Sequence, residues 1–239
     1  MQERLQRRPE APMIGLFAAI QFCHILDFVI MMPLGPKLMS ELALSTRQFG
    51  LLVSSYSIAA ALAGLVVATI VDRFERRRAL FFLFAGFIVA TLACGFSPSY
   101  HALLAARILA GCFGGVVGAC VFAILGDVIA PHRRGRAMGV VMSSFSVASV
   151  VGVPAGLALA GRWGWNMPFL VLGGFSAAVA ATIFVILPRL DSHLLSTSGT
   201  DITYHFVQLE SYLMTVVEEV EWLELPHSLE ISRLPISRK

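Results

Sequence analysis

The sequence predicts an all-α membrane protein that crosses the bilayer six times. Hydrophobic residues make up 57% of the chain and charged residues 14%, and the mean hydropathy is +0.78, outside the usual range of soluble domains. Six long apolar segments are joined by short polar connections. Two of the segments hold an ionisable residue, Asp27 in the first and Arg107 in the fourth.

The six segments have the length that a membrane crossing needs. Each has 19–24 residues, and at a rise of about 1.5 Å per residue this crosses a hydrocarbon core of about 30 Å. Because lipid offers the backbone no hydrogen-bond partner, we expect each segment to be a helix. The predicted spans, numbered 1 to 6, are 13–34, 49–71, 80–98, 103–126, 137–160 and 166–188.

The distribution of basic residues predicts the orientation. If the N-terminus is cytoplasmic, ten bases fall on the cytoplasmic side and three on the outside, an asymmetry that places both termini in the cytoplasm. The ten are Arg4, Arg7, Arg8, Arg73, Arg76, Arg77, Arg78, Arg133, Arg134 and Arg136, and the three are Lys37, Arg47 and Arg162. Such loop charges indicate membrane orientation rather than nucleic-acid binding. Trp163 and Trp165 fit an interfacial belt on the outer side.

An acid followed by arginines occurs after span 2 and again after span 4, as Asp72 with Arg73 and as Asp127 with Arg133. This recurrence suggests two inverted three-helix repeats, spans 1–3 and 4–6, although any cytoplasmic loop tends to be rich in arginine. Arginines at the end of span 2 also suit the helix dipole. A latch from this loop to a neighbouring helix is the alternative role.

Span 1 carries a polar stripe. Gln21, His24 and Asp27 are three residues apart and share one helix face. Polar groups at this depth face protein or a water-filled cavity, so we expect them, with Met31 one turn further on, to line a substrate cavity. His24 is interpreted as a lining residue in preference to a proton relay.

Asp27 and Arg107 are the candidate proton-coupling pair. If the two side chains meet, Arg107 favours the ionised form of Asp27 while desolvation opposes it, so the carboxylate can exchange a proton. The alternative is an ion pair that only holds spans 1 and 4 together.

Small residues in spans 4 and 5 indicate close helix packing. Gly111 and Gly115 have the GxxxG spacing. Gly152 and Gly156 flank Pro154, which removes a helix hydrogen bond and permits a kink.

With these motifs the sequence resembles the N-terminal half of the major facilitator superfamily, over about residues 12–188. Asp72, Arg73, Arg76 and Arg77 resemble the family's loop motif between spans 2 and 3, which implies a cytoplasmic gate, although Ala68 and Glu75 replace two of its usual glycines. Arg107 with Gly111 resembles the span-4 motif implicated in proton transfer. The remaining matches are Asp27 at the acidic span-1 position and Gly152, Pro154, Gly156, Gly164, Trp165 and Phe169 around spans 5 and 6, with Val153 where glycine is more usual.

The resemblance is nearest to twelve-span drug/proton and sugar or nucleoside efflux antiporters. It implies proton-coupled efflux of a small organic solute across the bacterial inner membrane by alternating access, which needs a second six-span half or a homodimer. A non-transporting remnant, or an interaction partner of a full-length transporter, is the alternative. We expect no enzyme activity, because Ser143, Ser144 and Ser146 lack a catalytic motif. We also expect no cofactor and no metal, since the cysteines lack ligand spacing.

Residues 189–239 are predicted to form a cytoplasmic tail. Eight of the chain's 15 acids but only three of its 18 bases lie in the last 50 residues. Apolar residues at spacings of three and four predict an amphipathic helix at about 205–224. A truncated or out-of-register end of a longer protein is an equally good interpretation of this segment.

Overall fold

Six helices of the computed structural model, which describes residues 10–68 and 75–187, are long and apolar enough to cross a membrane. The predicted all-α architecture with six spans is confirmed for this part of the chain. Spans 1 to 6 comprise Glu10–Val29, Thr46–Ala68, Arg76–Gly95, Tyr100–Val128, Pro131–Trp163 and Met167–Ile186. Asp72, Arg73 and the predicted tail helix at 205–224 lie outside the described residues.

Span 1 is followed by more helix than predicted. After Ile30 a second helix, Met31–Glu41, continues past the predicted end at residue 34. Pro33 has no N–H to bond the carbonyl of Val29, which accounts for the interruption. The Ile30 N–H still bonds the Leu26 carbonyl at 3.0 Å, so the chain keeps its direction through the break.

The arginines assigned to loops begin helices. Arg76 is the first residue of span 3, and Arg133 lies in the first turn of span 5. The dipole interpretation, made for the arginines after span 2, is therefore wrong for Arg76, because a helix N-terminus disfavours a cation. Acids compensate: Arg76 pairs with Asp127 at the end of span 4, and Arg133 pairs with Glu10 at 3.1 Å. We call this the arginine end of the bundle, and the end that carries Trp163 and Trp165 the tryptophan end.

Helix packing shows the two three-helix repeats. Span 4 packs on spans 2 and 3, span 1 packs on spans 5 and 6, and the pairs 1–4 and 3–6 complete the main contacts. Exchanging spans 1–3 with spans 4–6 returns the same set of contacts. Because spans 1 and 4 start at opposite ends of the bundle, the repeats are inverted. In this exchange span 4 takes the place of span 1, so the loop after span 4 corresponds to the loop after span 1 and not to the loop after span 2. The acid-arginine recurrence after spans 2 and 4 therefore does not arise from the repeat.

Glycines let span 4 touch the backbone of span 2. A Cβ built on Gly111 would collide with the carbonyl oxygen of Tyr56, and one on Gly115 would lie 2.5 Å from the Ala60 Cβ. This is the close approach for which the GxxxG spacing is suited.

Glycines on span 5 receive side chains from span 1. A Cβ on Gly152 would lie 2.8 Å from Leu26 Cδ1, and one on Gly156 would collide with Ile30 Cδ1. Just before Pro154, residues Ala148–Gly152 form a π-helical turn. The proline has no N–H for the carbonyl four residues earlier, so the regular ladder is interrupted here.

The two tryptophans have different surroundings. Trp163 is 58% exposed, as an interfacial residue would be. Trp165 is buried and its ring meets Phe169 edge-on, with the centroids 6.4 Å apart. The belt interpretation is therefore wrong for Trp165, which is a core residue.

Substitution of Gly111 by alanine should destabilise the bundle by about 1–3 kcal/mol, because the contacted atom belongs to the Tyr56 backbone and cannot rotate away. The matched control is Gly126→Ala in the same helix, where an added Cβ meets nothing within 4 Å. That change should be neutral or stabilise by up to about 1 kcal/mol. The free energy of unfolding in mixed micelles measures both, and equal effects of the two variants would contradict the assigned contact.

Candidate functional site

Asp27 and Arg107 form an ion pair inside the membrane-spanning bundle. Arg107 Nη1 lies 2.7 Å from Asp27 Oδ2 and also donates to the Asp27 backbone carbonyl at 3.3 Å. Both side chains are 0% exposed. The structure thus joins the two ionisable residues that the sequence singled out.

Spans 2 and 3 supply further partners to this pair. Thr91 Oγ1 donates to Asp27 Oδ1 at 3.3 Å, and the Arg107 guanidinium carbon lies 4.5 Å from the centroid of the Tyr56 ring. Each span of the first repeat and span 4 therefore contributes one group. The sequence analysis did not predict Thr91 and Tyr56 as part of the site. The only signal in the sequence was that each places a polar group within an apolar span.

Several buried polar atoms on spans 1, 2 and 4 have no hydrogen-bond partner among the described residues. They are Arg107 Nε and Nη2, the Tyr56 hydroxyl, Gln21 Oε1 and His24 Nε2. An unpaired buried polar group costs about 1–3 kcal/mol. Unpaired buried atoms of this kind are suited to bind a polar solute or water.

Gln21 and His24 face span 4 at Gly118. A Cβ built on Gly118 would lie 3.1 Å from His24 Nε2 and 3.8 Å from Gln21 Oε1. The polar stripe of span 1 is thus covered by a glycine of span 4. Gln21 is buried and His24 half-buried.

Met31 packs among apolar side chains. It lies beyond the helix break, is 0% exposed and belongs to the hydrophobic core. Its place in the substrate cavity stays a prediction.

Two of the residues expected in the cytoplasmic gate connect helices at the arginine end. Arg76 Nη1 pairs with Asp127 and donates to the Ala123 carbonyl at 3.3 Å, which ties span 3 to span 4. Arg77 Nη1 donates to the Leu187 carbonyl at 3.0 Å, just beyond span 6, and its guanidinium carbon lies 5.1 Å from the centroid of the Phe184 ring. Among the described residues, no cluster of three or more His, Cys, Asp or Glu forms a metal site.

The family model of the major facilitator superfamily matches residues 17–223. The chain belongs to this superfamily. Among curated relatives, the uncharacterized superfamily transporter YceJ of Bacillus subtilis is 30% identical over 177 residues, which cover 74% of this chain and 45% of YceJ. A chloramphenicol efflux pump of Mycobacterium tuberculosis is 28% identical over 187 residues, which cover 77% of this chain and 45% of the pump.

A solved structure shows the same superfamily fold. The inward-facing, unoccupied crystal structure of a bacterial homolog of the human lysosomal transporter Spinster matches with a TM-score of 0.65 at 18% identity, over 75% of this chain and 43% of that chain. The chain spans less than half the length of these curated relatives and of this neighbour.

The buried pair should show strong energetic coupling. Asp27→Asn and Arg107→Gln should each destabilise the chain by about 3–5 kcal/mol, since each leaves one buried group without its partner. The double variant should lose less than the sum of the two by about 1–3 kcal/mol. Unfolding in mixed micelles measures this cycle.

The control cycle uses Glu10→Gln and Arg133→Gln, which break the partly exposed pair at the arginine end. Its coupling should stay below about 1 kcal/mol. Additive effects of Asp27→Asn and Arg107→Gln would show that the buried contact carries no coupling.

Proposed function

We propose that this chain is the proton-handling half of a proton-coupled efflux transporter for small organic solutes, and that it acts in the bacterial inner membrane. The observation that carries the proposal is the fully buried Asp27–Arg107 pair within the membrane-spanning bundle. Charged residues at that depth are rare and mark proton, ion or substrate pathways.

The surroundings of Asp27 suit reversible proton binding. Arg107 and Thr91 stabilise the carboxylate, whereas the complete loss of solvent favours the neutral acid. A proton that binds Asp27 removes the negative charge from the pair and weakens its hold on Arg107. Solute instead fits the ionised pair, in which Arg107 Nη1 holds the carboxylate while its Nε and Nη2, which have no partner among the described residues, are available to the solute. Proton and solute would thus compete for one charge state, which is the requirement for antiport.

A solute with hydrogen-bonding groups fits the unpaired atoms of Gln21, His24 and Tyr56. The relative named as a chloramphenicol efflux pump supports a drug-like compound as the first probe. Sugars and nucleosides satisfy the same polar atoms and form the second set of probes.

Spans 2 and 5 provide the face for a second half. Only 17% of span 2 and 28% of span 5 are buried within this chain, against 39–56% for the other spans. The two helices occupy equivalent positions in the inverted repeats, so they form a symmetric docking face. Alternating access then requires that a second six-span unit, from a longer protein or from a second copy, packs there.

The arginine end is assigned to the cytoplasm, because the positive-inside rule places arginine-rich short connections there. Cysteines introduced at His132 and Ser99 are exposed at opposite ends and check this assignment. An impermeant thiol reagent added to intact cells should modify Ser99→Cys and leave His132→Cys unmodified. The reverse pattern would invert the topology.

Proton release tests the function. The wild-type chain is kept in unbuffered detergent solution, and chloramphenicol is added first, followed in separate experiments by sugars and nucleosides. A pH indicator records the released protons. We expect release from the wild type and at least a tenfold smaller signal from Asp27→Asn. Glu10→Gln, an equivalent loss of an acid at the bundle surface, should behave like the wild type.

The alternative function is that of a non-transporting interaction partner. It gains support if the folded wild type binds solute without proton release, or if it neither binds nor transports any probe in liposomes. If Asp27→Asn releases as many protons as the wild type, the Asp27–Arg107 pair has only the structural role of holding spans 1 and 4 together.

A further inference from the structure

An apolar groove of about 180 Å³ lies between spans 1, 5 and 6. Its walls are hydrophobic side chains from all three helices, among them Phe22, Ile30, Val151, Leu159, Pro168 and Phe175. Gly152 and Gly156 add no side chain to the groove, and Ala155 between them adds a single methyl group. The groove is separate from the Asp27–Arg107 pair, because neither residue lines it.

The groove has about the length of a lipid chain within one leaflet. Along span 5 it runs from Val151 to Leu159, eight residues or about 12 Å of helix. It starts close to the tryptophan end, where Leu159, Ile30 and Pro168 lie, and ends near mid-membrane. Half of a hydrocarbon core is about 15 Å thick. A transmembrane helix, about 10 Å across, is too wide to fill a slot of this volume.

Two basic residues lie at the end of the groove that is nearest the tryptophan end of the bundle. Arg162 lies three residues beyond Leu159 on the same helix face, is exposed, and makes no ion pair with any residue that the structure describes. Lys37 donates a hydrogen bond to the Ala160 carbonyl and lies 3.6 Å from Glu41. With one acid and two bases, the groove mouth keeps a net positive charge.

We propose that this groove binds one acyl chain of an anionic phospholipid, whose phosphate pairs with Arg162 and is supported by Lys37. Three observations agree: the lining is hydrocarbon, the length fits one leaflet, and the exposed cation stands at the depth of the headgroup, next to the exposed Trp163. The lipid fills the space beside the π turn and joins spans 5 and 6 to span 1. The site requires no transport activity.

Native mass spectrometry of the full chain, after exchange into phosphatidylglycerol or into phosphatidylcholine with the same acyl chains, tests the site. We expect one phosphatidylglycerol retained in preference to phosphatidylcholine. Arg162→Gln should lower that preference about fivefold, since one basic residue contributes about 1 kcal/mol to anionic lipid binding. Arg136→Gln, at the arginine end of the same span, should leave the preference unchanged.

Ala155→Trp fills the groove from span 5 and should reduce retention of both lipids at least tenfold. Val171→Trp fills it from span 6 and should do the same, which guards against a local folding effect of either change. Leu157→Trp places the same bulky group about 170° around the helix from the groove and is the matched control. Its retention should equal that of the wild type.

Three results would overturn the proposal. The first is that the wild type retains both lipids equally, and the second is that both groove-filling variants retain phosphatidylglycerol as the wild type does. The third is that the wild type forms a dimer which Ala155→Trp disrupts while lipid retention stays unchanged, because a second copy of the chain would then cover the groove.

Discussion

The Asp27–Arg107 contact is the constraint on which the centre of this bundle depends. Neither group can be solvated at its position, so each stabilises the other or is left as an uncompensated charge. The pair fixes span 1 against span 4, the two helices that lead the inverted repeats. Tyr56 on span 2 and Thr91 on span 3 contact the same pair. A single charged contact therefore orients all three helices of the first repeat against span 4.

Close packing by glycine makes this arrangement possible, and the two repeats achieve it differently. Gly111 and Gly115 on span 4 admit the backbone of span 2, whereas Gly152 and Gly156 on span 5 receive side chains of span 1. In the first case the approach places the Tyr56 ring beneath the Arg107 guanidinium. In the second case it opens the groove between spans 1, 5 and 6. The two repeats thus contain equivalent helix pairs, and the positions of the glycines determine which contacts and cavities each pair forms.

The sequence was sufficient for the spans and for the charged pair, because the cost of burying polar groups in lipid leaves few alternatives. It was insufficient wherever a side chain's role depends on its neighbours in space. Thr91 and Tyr56 are ordinary residues of apolar helices until Asp27 and Arg107 approach them. Trp165 looks like an interfacial residue until Phe169 covers it. The number of arginines at the arginine end could be read from the sequence, but their positions at the starts of helices could not. Those positions depend on acids that distant spans supply.

In the proposed function, Asp27 changes its protonation when solute binds. Infrared difference spectroscopy of the carboxyl stretching band, recorded on the wild type and on Asp27→Asn with and without chloramphenicol, tests it most directly. We expect a solute-induced carboxyl band in the wild type that is absent in Asp27→Asn. Solute binding with no difference between the two spectra would contradict it and would leave the pair with a purely structural role.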